Sequence, residues 1–276
     1  GVDGAGMYLT NSNPTLTNVT ISGNMAEKSG GGMYLKSDSH PIMENVTITA
    51  NSSIDDGGGI YCMDNSSPLF SSENRCNIHS NSVQNRGLGA DIFTMDNITV
   101  IVDTFTVMAP TSYYASPIEN FTFDILHSIY TLINEDVYVS IDGNDSNIGT
   151  SPESSFKTIN HALERIYSDS LNINTIHLAS GIYSPVTNGE VFPIQWNSYV
   201  NLSGNGEDET ILDADSTAGV MKFVDVTESL IENITITNGY SDQGGGIYLS
   251  ESITEITNVT IIGNSSIEGG GMHLYW

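Results

Sequence analysis

Asp213 and Asp215 stand two residues apart after the apolar pair Ile211-Leu212, a spacing that puts both carboxylates on one face of a strand. Two carboxylates at a set separation are what a glycoside hydrolase uses to protonate one oxygen and activate another. The competing reading is a turn closing the strand, and short motifs match by chance often enough to make the turn the expectation. A lyase needs instead a Lys or Arg base, with a divalent cation to acidify the substrate. The chain offers Lys28, Lys36, Arg75, Arg86, Lys157, Arg165 and Lys222, none of them clustered with acids on a repeated strand. Lys36, followed by Ser37 and Asp38, reads as a solvated turn.

Asp142, Asn144 and Asp145 form an oxygen-rich loop resembling half of a Ca²⁺ site, without the glycine and terminal glutamate of an EF-hand. An Asx-rich turn is the alternative. Cys62 and Cys76 lie 14 residues apart in one repeat and could close a disulfide in an oxidising compartment, or stand as two buried thiols at Leu35-like and Thr47-like positions. His79 is close to Cys76, but no four-ligand zinc spacing occurs. Asn-x-Ser/Thr triplets recur, among them Asn18, Asn45, Asn97, Asn120, Asn233 and Asn258. Several belong to a repeated phrase that accounts for them without glycans, although an outward asparagine in a secreted chain can carry one.

The elements that must position these groups are set by that repetition. Gly30-Gly31-Gly32-Met33-Tyr34-Leu35 returns at Gly4, Gly57, Gly244 and Gly269, with steps of 26 residues from Gly4 to Gly30, 27 from Gly30 to Gly57 and 25 from Gly244 to Gly269. Gly57 to Gly87 adds a step of 30. A second phrase follows most copies: Asn18-Val19-Thr20-Ile21, Asn45-Val46-Thr47-Ile48 and Asn258-Val259-Thr260-Ile261, with Asn233-Ile234-Thr235-Ile236 standing alone. Self-similarity at this period marks a solenoid. Within each repeat, apolar residues alternate with polar ones at strand spacing, and no apolar run has helical spacing. Short strands separated by Gly, Asn, Ser and Asp, each coil unable to bury its inner side chains alone, predict a right-handed parallel β-helix of all-β class.

The triple-glycine phrase, the prolines of Asn13-Pro14, Ser39-His40-Pro41 and Ser67-Pro68, and Asn-Val-Thr-Ile together resemble the β-helix repeats of bacterial surface proteins. These include the polymorphic outer-membrane proteins and others of the pectin-lyase-like superfamily. The resemblance implies the fold over all but about thirty central residues. For function it implies little, because that superfamily holds both polysaccharide enzymes and inert surface proteins.

Stacked coils would place Tyr8, Tyr34, Tyr61 and Tyr248 above one another on an outer face, and likewise Asn18, Asn45, Asn233 and Asn258 at strand edges. Asn24, Asn51 and Asn81 recur at similar turns and could form an amide ladder. In chain order, residues 1–107 read as the closing coils of a first β-helix, and 108–136, rich in aromatics, as a cap and crossover. Residues 137–276 read as the N-terminal cap and first coils of a second β-helix. Phe156, Ile159, Leu163 and Ile166 fall on one helical face, so a short capping α-helix is predicted near 155–167, started by Ser154 or Ser155.

Against 33 Asp and Glu stand only 7 Lys and Arg, a formal charge of −26. That excludes nucleic acid as a partner, which needs a basic footprint. No apolar stretch is long enough to cross a bilayer. Both ends of the sequence interrupt a coil, as in a window cut from a longer polypeptide. The expectation is a non-catalytic, extracellular or cell-surface structural protein, a fibre subunit or adhesin stacking end to end into a homopolymer. No cofactor is expected, with a structural Ca²⁺ at the Asp142 loop as the alternative. The alternative is a protein that binds or degrades cell-surface polysaccharide.

Overall fold

In a computed structural model that describes residues 1–84 and 88–276, the chain divides into two compact units, Gly1–Thr131 and Leu132–Trp276. Both are parallel β-solenoids, with about ten turns between them and a single short α-helix in the second. Arg86 and Gly87 lie outside the described residues.

In the first unit each turn contributes a strand to the same sheets. Met7–Thr10, Met33–Lys36, Ile60–Cys62, Ile92–Thr94 and Ala115–Ser116 build one, with Met7, Met33, Ile60 and Ile92 in register. Thr20–Ser22, Thr47–Thr49, Cys76–His79, Ile98–Val107 and Phe121–Tyr130 build another. Because side chains alternate across a strand, Met33, Leu35, Ile48, Ile60, Ile78 and Ile92 all point inward and are fully buried. Like residues therefore lie over like along the axis, and the core is an aliphatic column rather than a ball.

The triple glycine does three different things. Gly30 has φ of 71°, in the left-handed region that a side chain disfavours. At Gly31 an added Cβ would sit 2.2 Å from the Ser52 carbonyl oxygen and 2.5 Å from that of Gly58, so the chain crosses its neighbours too closely for any side chain. At Gly32 the Cβ would meet the Gly59 carbonyl at 2.6 Å and the Asn51 Nδ2 at 3.0 Å. That last contact is with a column of buried amides. Asn24 Nδ2 donates to Asn51 Oδ1 at 2.9 Å, Asn51 Nδ2 to Asn81 Oδ1 at 3.1 Å, and Asn81 Nδ2 to Asp91 Oδ1 at 2.9 Å. The Asn51 and Asn81 oxygens also accept the backbone N–H groups of Asn24 and Asn51 respectively, both at 3.1 Å.

The register differs from the sequence expectation at two places. Ile60 pairs with Ile92, so Gly89-Ala90-Asp91 replaces the triple glycine, 32 residues on from Gly57 rather than 30. Residues 108–136 do not form a separate cap and crossover. Ala115–Ser116 and Phe121–Tyr130 are strands of a further turn, with Phe121, Phe123 and Ile125 laid over Ile98, Val100 and Val102. The first unit thus continues to Thr131, beyond the expected boundary at 107. Aromatics replaced the repeat phrase there while preserving its alternation, which is why no repeat was visible.

In the second unit the α-helix spans Ile159–Arg165, shorter than the predicted 155–167, and its cap is Thr158, whose side chain accepts from His161 N. Phe156 is extended and bridges Val139, yet is fully buried with Ile159, Ala162 and Leu163. The apolar spacing gave the buried face correctly and the helix start wrongly, because two carboxylates set that start. Asp145 Oδ1 accepts the N–H of Lys157 at 2.7 Å and of Thr158 at 3.0 Å, holding the approach extended. Glu190, only 1% exposed, accepts Ile159 N at 2.7 Å and Asn160 N at 3.1 Å. Burial pushes the Glu190 carboxyl pKa upward, against these hydrogen bonds.

Asn51→Ala should destabilise the first unit by about 3 kcal/mol, since each buried group left unpaired costs about 1–3 kcal/mol and the Asn24 and Asn81 amides lose their partner. Thermal and denaturant unfolding of this variant, beside Asn97→Ala at an exposed position without left-handed backbone, checks it; the exposed variant should lose under about 1 kcal/mol.

Candidate functional site

The outer face of the first sheet carries a continuous aromatic stack. Tyr8 lies on Tyr34 with ring centroids 5.1 Å apart, Tyr34 on Tyr61 at 5.0 Å, and Tyr61 on Phe93 at 5.0 Å, with interplanar angles of 4°, 16° and 3°. Rings in this arrangement turn their faces to one another and their edges to solvent. A sugar-binding platform needs an open ring face, and the inner rings offer none. Lys36 Nζ lies 5.4 Å from the Tyr8 ring centroid. Burial, reinforced by Asp3 and the neighbouring phenols, pushes the Tyr34 pKa up to about 12, and burial also raises that of Tyr61. Tyr248 belongs to the second unit and stacks instead on His273, at 5.6 Å and 6°.

A polar groove of about 720 Å³ runs along one corner of the first unit, where the chain turns into the Thr47–Thr49 sheet. The corner asparagines build it. Asn18 and Asn45 have φ of 57° and 50°, a left-handed turn that asparagine tolerates, and Asn45 Nδ2 donates to Asn18 Oδ1 at 2.7 Å. Asn74 and Asn77 continue the amide lining, with Glu73 and Asp103 as its carboxylates. Arg75, the cation lining it, is already held: one nitrogen donates to Asp124 Oδ2 at 2.7 Å, another to the carbonyls of Val102 and Asp124 at 3.1 and 3.0 Å. The hydrogen bond to Asp124 raises the Arg75 pKa further and lowers that of Asp124. The guanidinium is thus a staple across successive turns and cannot serve as a base.

The other sequence-predicted groups are scattered. Asp213 Oδ1 accepts the Asp215 N–H and the Asn238 Nδ2, each at 2.9 Å, and Asp215 has φ of 49°; the pair is a turn. In the Asp142 loop, Asn144 Oδ1 accepts Ser146 N at 2.9 Å, while both Asp145 oxygens bind the approach to the α-helix, Oδ2 accepting Thr158 Oγ1 at 3.0 Å. Among the described residues no three His, Cys, Asp or Glu side chains come together as a metal site. Cys62 and Cys76 are both free and buried. They sit on strands of different sheets, Cys62 opposite Leu35 and Cys76 stacked over Val46 rather than in a Thr47-like position, and burial raises both thiol pKa values. Asn258 Nδ2 donates to Asn233 Oδ1 at 3.2 Å, so the second unit repeats the corner pair. A serine column went unnoticed in the sequence: Ser39 Oγ accepts Ser12 N at 3.2 Å and Ser66 Oγ accepts Ser39 N at 3.0 Å. Its only signal was a serine shortly before each corner proline.

Comparison with known proteins agrees with this architecture. Residues 1–116 match the family described as a right handed beta helix region, and residues 141–223 match a family described as a protein of unknown function, DUF1565. No curated protein and no solved structure matches the chain. With parallel turns in both units, the chain is a right-handed parallel β-helix repeat protein.

Two measurements follow from these environments. Spectrophotometric titration should find a tyrosine ionising near pH 12 that Tyr34→Phe removes. Because the folded pKa exceeds the ordinary value of 10.0, the stability tied to Tyr34 is complete below pH 10 and declines as pH rises toward 12. Ellman's reagent should leave Cys62 and Cys76 unmodified in the folded protein and titrate both on unfolding; rapid reaction before unfolding would contradict their burial.

Proposed function

We propose that this chain is a non-catalytic structural β-helix protein working outside the cell, as a surface fibre subunit or adhesin that associates end to end. The observation that carries this reading is that side chains suited to chemistry are engaged from turn to turn. The phenol rings stack on each other, Arg75 is bonded within its own coils, and Asp213 binds the turn that contains Asp215. A lyase base must be able to lose its proton, and an acid pair must face a substrate. The charge of −26 supports a well-solvated exterior and disfavours uronate polymers in the absence of divalent cations.

One observation favours a second reading. The corner groove, concave and lined by amides, is of a size that suits a ligand rich in hydroxyl groups. On that reading the protein binds polysaccharide without cleaving it.

Under the structural reading, uronate polymers with and without Ca²⁺ give no turnover, and Asp213→Ala or Asp215→Ala changes nothing. Sedimentation at rising protein concentration should show growing assemblies. Turnover abolished by Asp213→Ala would overturn the non-catalytic reading, and a monomer at every concentration would overturn end-to-end association.

A further inference from the structure

Eleven asparagines stand in Asn-x-Ser/Thr triplets, and their side-chain amides divide them. The Nδ2 groups of Asn45, Asn51, Asn65, Asn120, Asn258 and Asn264 all donate hydrogen bonds to other groups of their own unit. Asn51 is the extreme case: fully buried, its Nδ2 contacts Ile21 O at 2.9 Å, Thr49 O at 3.1 Å and Asn81 Oδ1 at 3.1 Å. A sugar on that nitrogen would displace the amide column.

Asn97-Ile98-Thr99 differs on each count. It is not the corner phrase, because the residue in register with Thr47 and Asn77 on this turn is Thr104, well inside the strand that Asn97 precedes. The repeat therefore does not account for this triplet. Asn97 and Thr99 are both exposed, while Ile98 between them is buried and fixes their presentation. Among the described residues no hydrogen bond ties the Asn97 side chain. One turn further on, Asn120-Phe121-Thr122 lies in register, Ile98 opposite Phe121 and Thr99 opposite Thr122. At a rung spacing of about 4.8 Å there is no room for two glycans side by side. Asn120 Nδ2 is bonded to Thr94 O at 3.3 Å, so Asn97 is the open one of the two.

We propose that Asn97 is an acceptor site for an N-linked glycan, an inference that rests on the extracellular reading above. The donor would be an oligosaccharide carried on a lipid pyrophosphate. The Asn97 Nδ2 forms a bond to the anomeric carbon as that carbon's bond to the pyrophosphate oxygen breaks. The lipid pyrophosphate leaves with the electron pair and the amide proton passes to the transferase.

The test directs the full chain, behind a secretion leader, through a glycosylating secretory pathway and maps glycopeptides of the soluble product by mass spectrometry. Asn97 should be occupied, N97Q and T99V should each remove one glycan mass, and Asn51 should be bare. Should glycan addition at Asn51 retain the parent in the cell, Ser53→Ala removes that triplet and restores a soluble chain for the same mapping. A soluble chain with Asn97 unmodified, or a folded one bearing sugar on Asn51, overturns the proposal. Fractionation of native cells decides the extracellular reading separately, so the two can fail independently.

Discussion

Every turn of this protein must close at the same height above the one before it, and the buried column of asparagine amides is where that requirement is most severe. A parallel solenoid aligns identical positions at about 4.8 Å, close to the reach of one amide donating to the next. Asn24, Asn51, Asn81 and Asp91 use that coincidence, each closing the donor of one turn with the acceptor of another. Gly6, Gly32 and Gly59, each the third residue of its repeat phrase, leave the space that the amides of Asn24, Asn51 and Asn81 fill. Unpaired, these polar groups would be costly in an aliphatic interior; paired, they fix register where Ile over Ile alone would tolerate a slip.

The outer faces inherit the same periodicity without the same energy. Stacked phenols and paired corner asparagines are exposed or half-exposed, and their contacts contribute modestly beside the core. They do decide what the surface can do. A ring that shares its faces with two neighbours is poorly placed to hold a ligand, and a guanidinium bound to Asp124 is poorly placed to act as a base. The corner groove is a concave feature that brings unlike groups close, and it is made by the same left-handed asparagines that turn the chain.

Much of this was legible in the sequence, because a solenoid writes its period directly into glycine spacing and its inward face into alternation at Met33-Tyr34-Leu35. What stayed hidden depended on contacts between turns that spacing does not reveal. The strand Phe121–Tyr130 kept the alternation but none of the repeat's residue types, so it read as a cap. The start of the helix at Ile159 was set by Asp145 and Glu190, one of them 31 residues away. Cys62 and Cys76 share a repeat but belong to different sheets, which linear separation cannot tell. Tyr248 carried the right phrase and stacks on His273, in the second unit.

Hydrogen exchange of the side-chain amide protons, followed by NMR on labelled protein, addresses the amide column most directly. Asn51 and Asn81 Nδ2 protons should exchange only through opening of the first unit, with protection approaching that of the core amides of Ile48 and Ile60. Exchange as fast as that of an exposed asparagine such as Asn97, while those backbone amides stay protected, would show that the column does not hold the turns in register.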